Sequence, residues 1–332
     1  MVMKKGFWII LCMFFIPPVT FAGNMKLHYD RPAEYFEEAL VIGNGTMGAT
    51  LYGGVKKDKI SFNDITLWTG EPESENSSPD AFNVIPEIRA LLDNEDYQGA
   101  DKAQYKVQGH YSENYQPLGT LTIEYLDDTV GISDYHRWLD IGNATARTQY
   151  LKDGKLFTSD YFASAPDSVI VIRLKSENKE GIHALLSFDS PLPHSSQVAD
   201  NEISVEGYAA YHSFPVYYKE EDKHRYDPER GIHFKTLVRV LSVDGSVKDR
   251  YSDSRIEIDG STEVLILIAN VTSFNGFDKD PVKEGRNYRS HVEKRMKCAV
   301  GKTYDALREA HIRDYKYLSL IHISEPTRQE AI

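Results

Sequence analysis

The residues best suited to binding chemistry in this chain sit in one short run, Ile60-Ser-Phe-Asn-Asp-Ile-Thr-Leu-Trp-Thr-Gly70. Asn63, Asp64 and Thr66 offer an amide, a carboxylate and a hydroxyl, and Trp68 adds a large flat ring in the same loop. Sugars are bound by such combinations: hydroxyls take the hydrogen bonds, and the apolar C–H face of the pyranose stacks on an aromatic ring. These four are the candidate substrate-binding residues. The same residue types also fit a structural role, with Trp68 in a core and Asn63 and Asp64 stabilising a turn. Tyr115-Gln-Pro117 is a second loop segment that fits either a contact or a structural turn.

Sequence signals for other chemistry are missing. No His-Glu-x-x-His, phosphate-binding glycine loop or Gly-x-Ser-x-Gly occurs, and the eleven histidines lack metal-ligand spacing. The fifty acidic residues could include an acid–base pair, but no spacing singles out two of them. No metal and no cofactor is expected.

The elements that must carry these loops read mainly as short strands. Ser168-Val-Ile-Val-Ile-Arg-Leu174, Phe234-Lys-Thr-Leu-Val-Arg-Val-Leu-Ser242 and Glu263-Val-Leu-Ile-Leu-Ile-Ala269 are rich in β-branched residues and bounded by turn formers. Asp153-Gly154 lies between alternating segments and predicts a hairpin. Gly43, Gly45 and Gly48 suit a strand-to-strand corner. The pattern predicts a mainly β fold, a large antiparallel β-sandwich. Two regions break it. Ile85, Ile88, Leu91 and Leu92 recur at helical spacing within 84–107, with Pro86 suited to a first turn. After Asp280-Pro281, Tyr288, Val292, Met296 and Val300 are spaced by four, and Leu307, His311 and Leu318 extend a second helical stretch.

Composition narrows the partners. The formal net charge is −12 and no basic run occurs, so a nucleic acid or an anionic membrane surface has nothing to grip. The twenty-one tyrosines suit half-buried pleated surfaces better than they argue for sugar platforms. Met1 to Lys5 is positively charged, Phe7 to Ile16 is apolar, and Thr20-Phe-Ala22 offers a small-residue cleavage site. That three-part design is a secretory leader, and it is too short to span a bilayer. Its removal leaves Cys298 as the sole cysteine, so no internal disulfide can form and stability must come from a core. Four Asn-x-Ser/Thr triplets begin at Asn44, Asn76, Asn143 and Asn270; they matter only in a eukaryotic secretory pathway.

Longer patterns carry a resemblance. Leu27-His-Tyr-Asp-Arg-Pro-Ala33 is followed by Glu38-Ala-Leu-Val-Ile-Gly-Asn-Gly-Thr-Met-Gly-Ala49, by the run 60–70 and by Tyr115-Gln-Pro-Leu-Gly-Thr-Leu121. Tyr135-His-Arg-Trp-Leu-Asp140, Tyr161-Phe-Ala-Ser-Ala-Pro-Asp-Ser-Val-Ile-Val171 and Val271-Thr-Ser-Phe-Asn-Gly276 complete the series. In this order and at these intervals the segments resemble the N-terminal domain of glycoside hydrolase family 95, the α-L-fucosidases, over roughly residues 26 to 317.

The resemblance implies a supersandwich-like β domain, a helical linker, an (α/α)6 barrel and a C-terminal β domain. It also implies inverting hydrolysis of α-L-fucosides or related α-L-galactosides, with the catalytic residues on the barrel. Twelve helices of about 11 residues need ~130 residues before any loop is counted. Only fourteen residues follow Leu318, so no catalytic residue is expected in this chain. The last segment, from Leu318, resembles the translation of a transposase-type sequencing adapter and is expected to be non-native. The resulting division is 1–22 leader, 23–280 β-sandwich, 281–317 helical linker and 318–332 tail. The expected partners are a fucosylated glycan, met through the complete enzyme, and the barrel itself, packed on an apolar face of the sandwich. The expected location is secreted or periplasmic, in a bacterium. A stand-alone carbohydrate-binding module is the competing reading. A family 65 glycoside phosphorylase, which also joins a β-sandwich to a helical barrel, is a third; the ordered segments favour family 95 over it.

Overall fold

A computed structural model describes residues 25–72, 81–109 and 111–319. The expected leader, most of the polar loop 71–80 and the tail beyond residue 319 lie outside the described residues.

Two large antiparallel sheets face each other. The first has nine strands, in spatial order Lys26–Tyr29, Ile132–Asp140, Thr145–Lys152, Lys155–Ser164, Val169–Ser176, Glu263–Thr272, His233–Ser242, Glu202–Tyr208 and His194–Ala199. The second has seven: Ser246–Arg250, Arg255–Ser261, Ile182–Asp189, Gly119–Tyr125, Lys57–Asp64, Met47–Leu51 and Leu40–Gly43. A short pair, His212–Ser213 with His224–Arg225, sits in a loop region. The fold is thus mainly β, an antiparallel sandwich.

Side-chain alternation explains which faces are buried. In Gly119–Tyr125, Leu121, Ile123 and Tyr125 point into the sandwich while Thr120, Thr122 and Glu124 face outward. Glu263–Thr272 reads almost continuously apolar because both its faces are covered. Val264, Ile266 and Ile268 enter the space between the sheets. Leu267, Ala269 and Val271 lie instead in a second cluster with Tyr288, Val292, Met296 and Leu307.

Those last residues belong to two helices, α3 (Tyr288–Val300) and α4 (Tyr304–Ser319), which lie on the outer face of the nine-stranded sheet. The spacing by four puts Tyr288, Val292 and Met296 on the buried side of α3, capped by Asn287, whose side chain accepts from Ser290 N. Leu318 is exposed at the end of α4.

Turn chemistry matches the backbone. Asp153 and Gly154 have φ of 50° and 74°, as a two-residue hairpin with both centres left-handed requires. Gly43 pairs with Gly48 across the hairpin whose tip holds Gly45 at φ 85°. The 84–107 stretch differs from its predicted form. It is two helices, α1 (Ala81–Asp93) and α2 (Tyr97–Gln104), broken where Glu95 takes φ 61° and Asp96 caps α2 through Gly99 N. Pro86 lies in the second turn of α1, not the first; its missing N–H leaves one carbonyl free on a helix that buries no residue.

A carboxylate stands deep inside the sandwich. Asp58 accepts from Gly54 N at 2.9 Å and from the Tyr161 hydroxyl at 2.8 Å. Burial pushes its pKa up to about 6 against the pull of those donors.

Candidate functional site

The strand Lys57–Asp64 delivers the candidate loop, and its alternation separates two neighbours. Asp64 points inward with Asp58, Ile60 and Phe62, while Asn63 points outward and is exposed. Asp64 Oδ1 accepts from Thr66 N at 2.9 Å and Thr66 Oγ1 at 2.7 Å, and Oδ2 accepts from Asn270 Nδ2 at 2.8 Å. Asn270 Oδ1 in turn accepts from Thr236 Oγ1 at 2.8 Å, and the Thr66 and Thr272 hydroxyls bond at 2.6 Å. Arg295 of α3 donates to Asn270 O at 2.9 Å and places a cation near Asp64. This buried polar chain pins the loop to two neighbouring strands of the large sheet, Glu263–Thr272 and His233–Ser242. Asp64 and Thr66 therefore serve the loop's geometry.

Trp68 is what the loop presents. Its indole N–H donates to Ile65 O at 3.0 Å, which fixes the ring with 42 % of the residue exposed. A backbone bridge joins Trp68 to Tyr115, whose ring centroid lies 5.4 Å away at an interplanar angle of 56°. The Tyr115 hydroxyl meets the Asn63 side chain and is held above the usual phenol range by burial and by the Asp64 carboxylate. The core role open to Trp68 in the sequence is thus not the one it takes, whereas Asp64 does stabilise the turn.

A second set of loops locks onto the first. Thr69 Oγ1 donates to Glu113 Oε2, which also accepts from Ser213 N at 3.2 Å. His212 Nδ1 donates to Glu113 Oε1 at 2.8 Å, and its Nε2 is hydrogen-bonded with the Tyr111 hydroxyl at 2.9 Å. Asn114 Nδ2 reaches Ser213 Oγ at 2.7 Å, and Ser213 Oγ bonds His224 Nδ1 at 2.8 Å. Between these loops and the segment after Thr272 lies an open hollow of about 320 Å³. Trp68, Ile65, Ile232, Phe274, Phe277 and Pro281 supply its apolar lining, and Thr66, Glu71, Glu113 and Lys279 its polar edge.

Of the four predicted residues, Thr66 and Trp68 reach this hollow; Asn63 and Asp64 do not line it. Sequence reasoning missed Ile232, Phe277 and Glu113 altogether. Phe274 stood in plain view in Val271-Thr-Ser-Phe-Asn-Gly276, one residue before Asn275. The edge carboxylates are both engaged: Glu71 pairs with Arg230, and Glu113 accepts three hydrogen bonds. Among the described residues no group of three or more His, Cys, Asp or Glu side chains could hold a metal ion. Nor, among them, is any helix long and apolar enough to cross a membrane.

The class that the fold defines is an antiparallel β-sandwich domain with an apolar hollow among its end loops, and comparison gives it a family. Residues 27–276 match the family described as "Glycosyl hydrolase family 65, N-terminal domain". The chain belongs to that family. It is 28 % identical over 325 residues to "Alpha-L-fucosidase 2" of Arabidopsis thaliana, covering 93 % of this chain and 38 % of that protein. It is 29 % identical over 329 residues to "Probable alpha-fucosidase A" of Aspergillus niger, with 92 % and 38 % covered. The chain thus spans about two-fifths of the length of these curated relatives. Among solved structures it resembles "Putative kojibiose phosphorylase from human microbiome" at a TM-score of 0.51 and 9 % identity, over 88 % of this chain and 37 % of that one. That likeness concerns the fold.

Proposed function

We propose that this chain is the non-catalytic N-terminal β-sandwich portion of a secreted family 95 glycoside hydrolase whose complete protein removes α-L-fucose from glycans. The observation that carries the reading is similarity to proteins named as α-fucosidases along 89–93 % of the chain. Inverting hydrolysis needs an acid and a base roughly 6.5–9.5 Å apart with room for water between them. Glu71 and Glu113, the carboxylates at the hollow, are both tied to donors and suit neither role. The acid and base belong on a helical barrel that follows the sandwich, and α3 and α4 form the linker towards it. Trp68 and Thr66 face the glycan, and Asn63 and Asp64 support them.

The test is expression of the gene's complete reading frame from its source genome, assayed on a fucosylated oligosaccharide with and without inorganic phosphate. Release of free L-fucose independent of phosphate is expected, and none from the 332-residue chain alone. A sugar phosphate formed only with phosphate present identifies a phosphorylase and overturns the hydrolase reading. Turnover by the present chain refutes its non-catalytic role.

A further inference from the structure

We propose that the hollow beside Trp68 is a saccharide-binding subsite of its own, holding the apolar face of a neutral pyranose without taking part in bond cleavage. The inference rests on the glycan-acting reading and adds the ligand class and the residues that contact it.

The first support is the state of the indole. Its N–H is already given to Ile65 O, so the ring has no polar group left to satisfy and offers its face. Tyr115 backs it, and the Asp64–Asn270–Thr236 chain fixes the loop, so little freedom is lost when a ligand settles there. The second support is Phe277. It stands 88 % exposed in the same lining, on a loop turned by Gly276 at φ 130°, and a large ring held in water gains from being covered.

The third support concerns charge. Glu71 is paired with Arg230. Lys279 sits within 3.7 Å of Asp278 and 3.9 Å of Glu284. Glu113 accepts from Thr69, Ser213 and His212. Among the described residues no unpaired cation faces the hollow, so an anion is not selected, and the Glu113 charge is spread over three hydrogen-bond donors. Neutral hydroxyls can still bond the edge oxygens. The volume of about 320 Å³ falls at the lower end of the range of roughly 300–1,000 Å³ for small-ligand pockets. Apolar walls, hydrogen-bonding edges and that size together describe a sugar ring.

The three tryptophans, Trp8, Trp68 and Trp138, allow a site-resolved test. The full chain is labelled with 5-fluorotryptophan, its ¹⁹F resonances are assigned with Trp→Phe variants, and it is titrated with L-fucose, 2′-fucosyllactose, D-glucose and maltose. A saturable shift of the Trp68 resonance by at least one sugar is expected. Trp138, flanked by Lys26 and Arg147 on the large sheet, is the internal control and stays still. Phe277→Ala is expected to weaken binding about tenfold, the equivalent of ~1.4 kcal/mol. Its exposure makes misfolding no explanation.

A Trp68 resonance unmoved by all four sugars overturns the proposal. So does a Phe277→Ala affinity equal to the wild type. If light scattering shows copies of the chain associating through this face, with Trp68→Ala releasing them and no sugar competing, the hollow is a protein interface and the proposal fails. Binding of glucose sugars but not fucose sugars leaves the subsite standing while counting against the fucoside reading, which the hydrolysis assay tests separately.

Discussion

Asp58→Asn is expected to stabilise the fold at neutral pH and to leave it nearly unchanged in acid. In the sandwich Asp58 is fully buried, and its pKa stands at about 6 against an ordinary 3.8. A raised folded-state pKa favours the protonated form, so its stabilising effect is complete below 3.8 and is lost as pH climbs through about 6. A tenfold difference in proton affinity is worth about 1.36 kcal/mol, so the ionised carboxylate costs about 3 kcal/mol at pH 8 relative to acid. An amide of the same shape carries no charge. Its oxygen can keep the Gly54 N–H, and its NH₂ can donate to the Tyr161 hydroxyl, which has Ser159 beside it for its own proton. For a domain of this size ~1 kcal/mol moves the midpoint by about 2–4 °C, so the variant should melt roughly 6–12 °C above wild type at pH 8. The assay is thermal unfolding by circular dichroism of both proteins between pH 4 and 8.5. The diagnostic is the difference between the two curves, because every other titrating group cancels in it. A difference that is flat with pH, or an Asn variant less stable at pH 8, refutes the reasoning. Tyr161→Phe supplies a second arm. With that donor gone the Asp58 carboxyl holds its proton more tightly, so the fall in stability should run on to a higher pH than in the wild type.

Three further outcomes follow from the packing. Leu267→Ala, fully buried beneath the helices on the outer face of the large sheet, should cost about 2–5 kcal/mol by urea unfolding, with no effect on the pH difference just described. Asp64→Ala should cost about 1–3 kcal/mol by orphaning the Asn270 amide and the Thr66 donors, and a double-mutant cycle with Asn270→Ala should show coupling, not additivity. Expressed through a eukaryotic secretory pathway, the folded protein should carry no glycan at Asn270, which is fully buried and bonded to Asp64 and Thr236; peptide mass spectrometry reads this directly.

The sandwich was legible in the sequence because its strands obey period two with strong contrast, as in Gly119–Tyr125, and because Asp153-Gly154 admits few backbone conformations. The run Glu263–Thr272 looked merely apolar, and only the structure shows why: the facing sheet covers one face and α3 the other. Part of the candidate site was legible for its residue types and part was not. Lys57-Asp-Lys-Ile-Ser-Phe-Asn-Asp64 is polar on both faces at its ends, so only the alternation set by Ile60 and Phe62 at its centre marks Asp58 and Asp64 as inward residues. The period-two rule alone would have separated Asn63 from Asp64, since the register that buries Ile60 and Phe62 buries Asp64 too. Phe277 and Ile232 could not be found in this way, because they join Trp68 only through chain closure over more than 160 residues.

That closure also sets some of the exposed aromatic rings in fixed loops. Trp68, Tyr115, Tyr217, Tyr218 and Phe277 are all exposed and all belong to loops, not strands. Free loops would bring such rings together only transiently, and ordering them on contact would consume about 0.5–1.5 kcal/mol for each side chain immobilised. Here the cost is met in folding. Glu113 ties the Trp68 loop to the Ser213 strand through Thr69, and Tyr111, which hydrogen-bonds His212, stands 5.3 Å from the Tyr218 ring, while the Asp64 chain ties the same loop to the large sheet. Buried polar networks of this kind add little to net stability when compared with apolar packing, but they fix one arrangement. The Asp64 chain rests on strand register, with Thr236 paired to Asn270 across the large sheet, while the Glu113 set ties loop to loop; together they hold the Trp68 loop in the one arrangement that the proposed saccharide subsite requires.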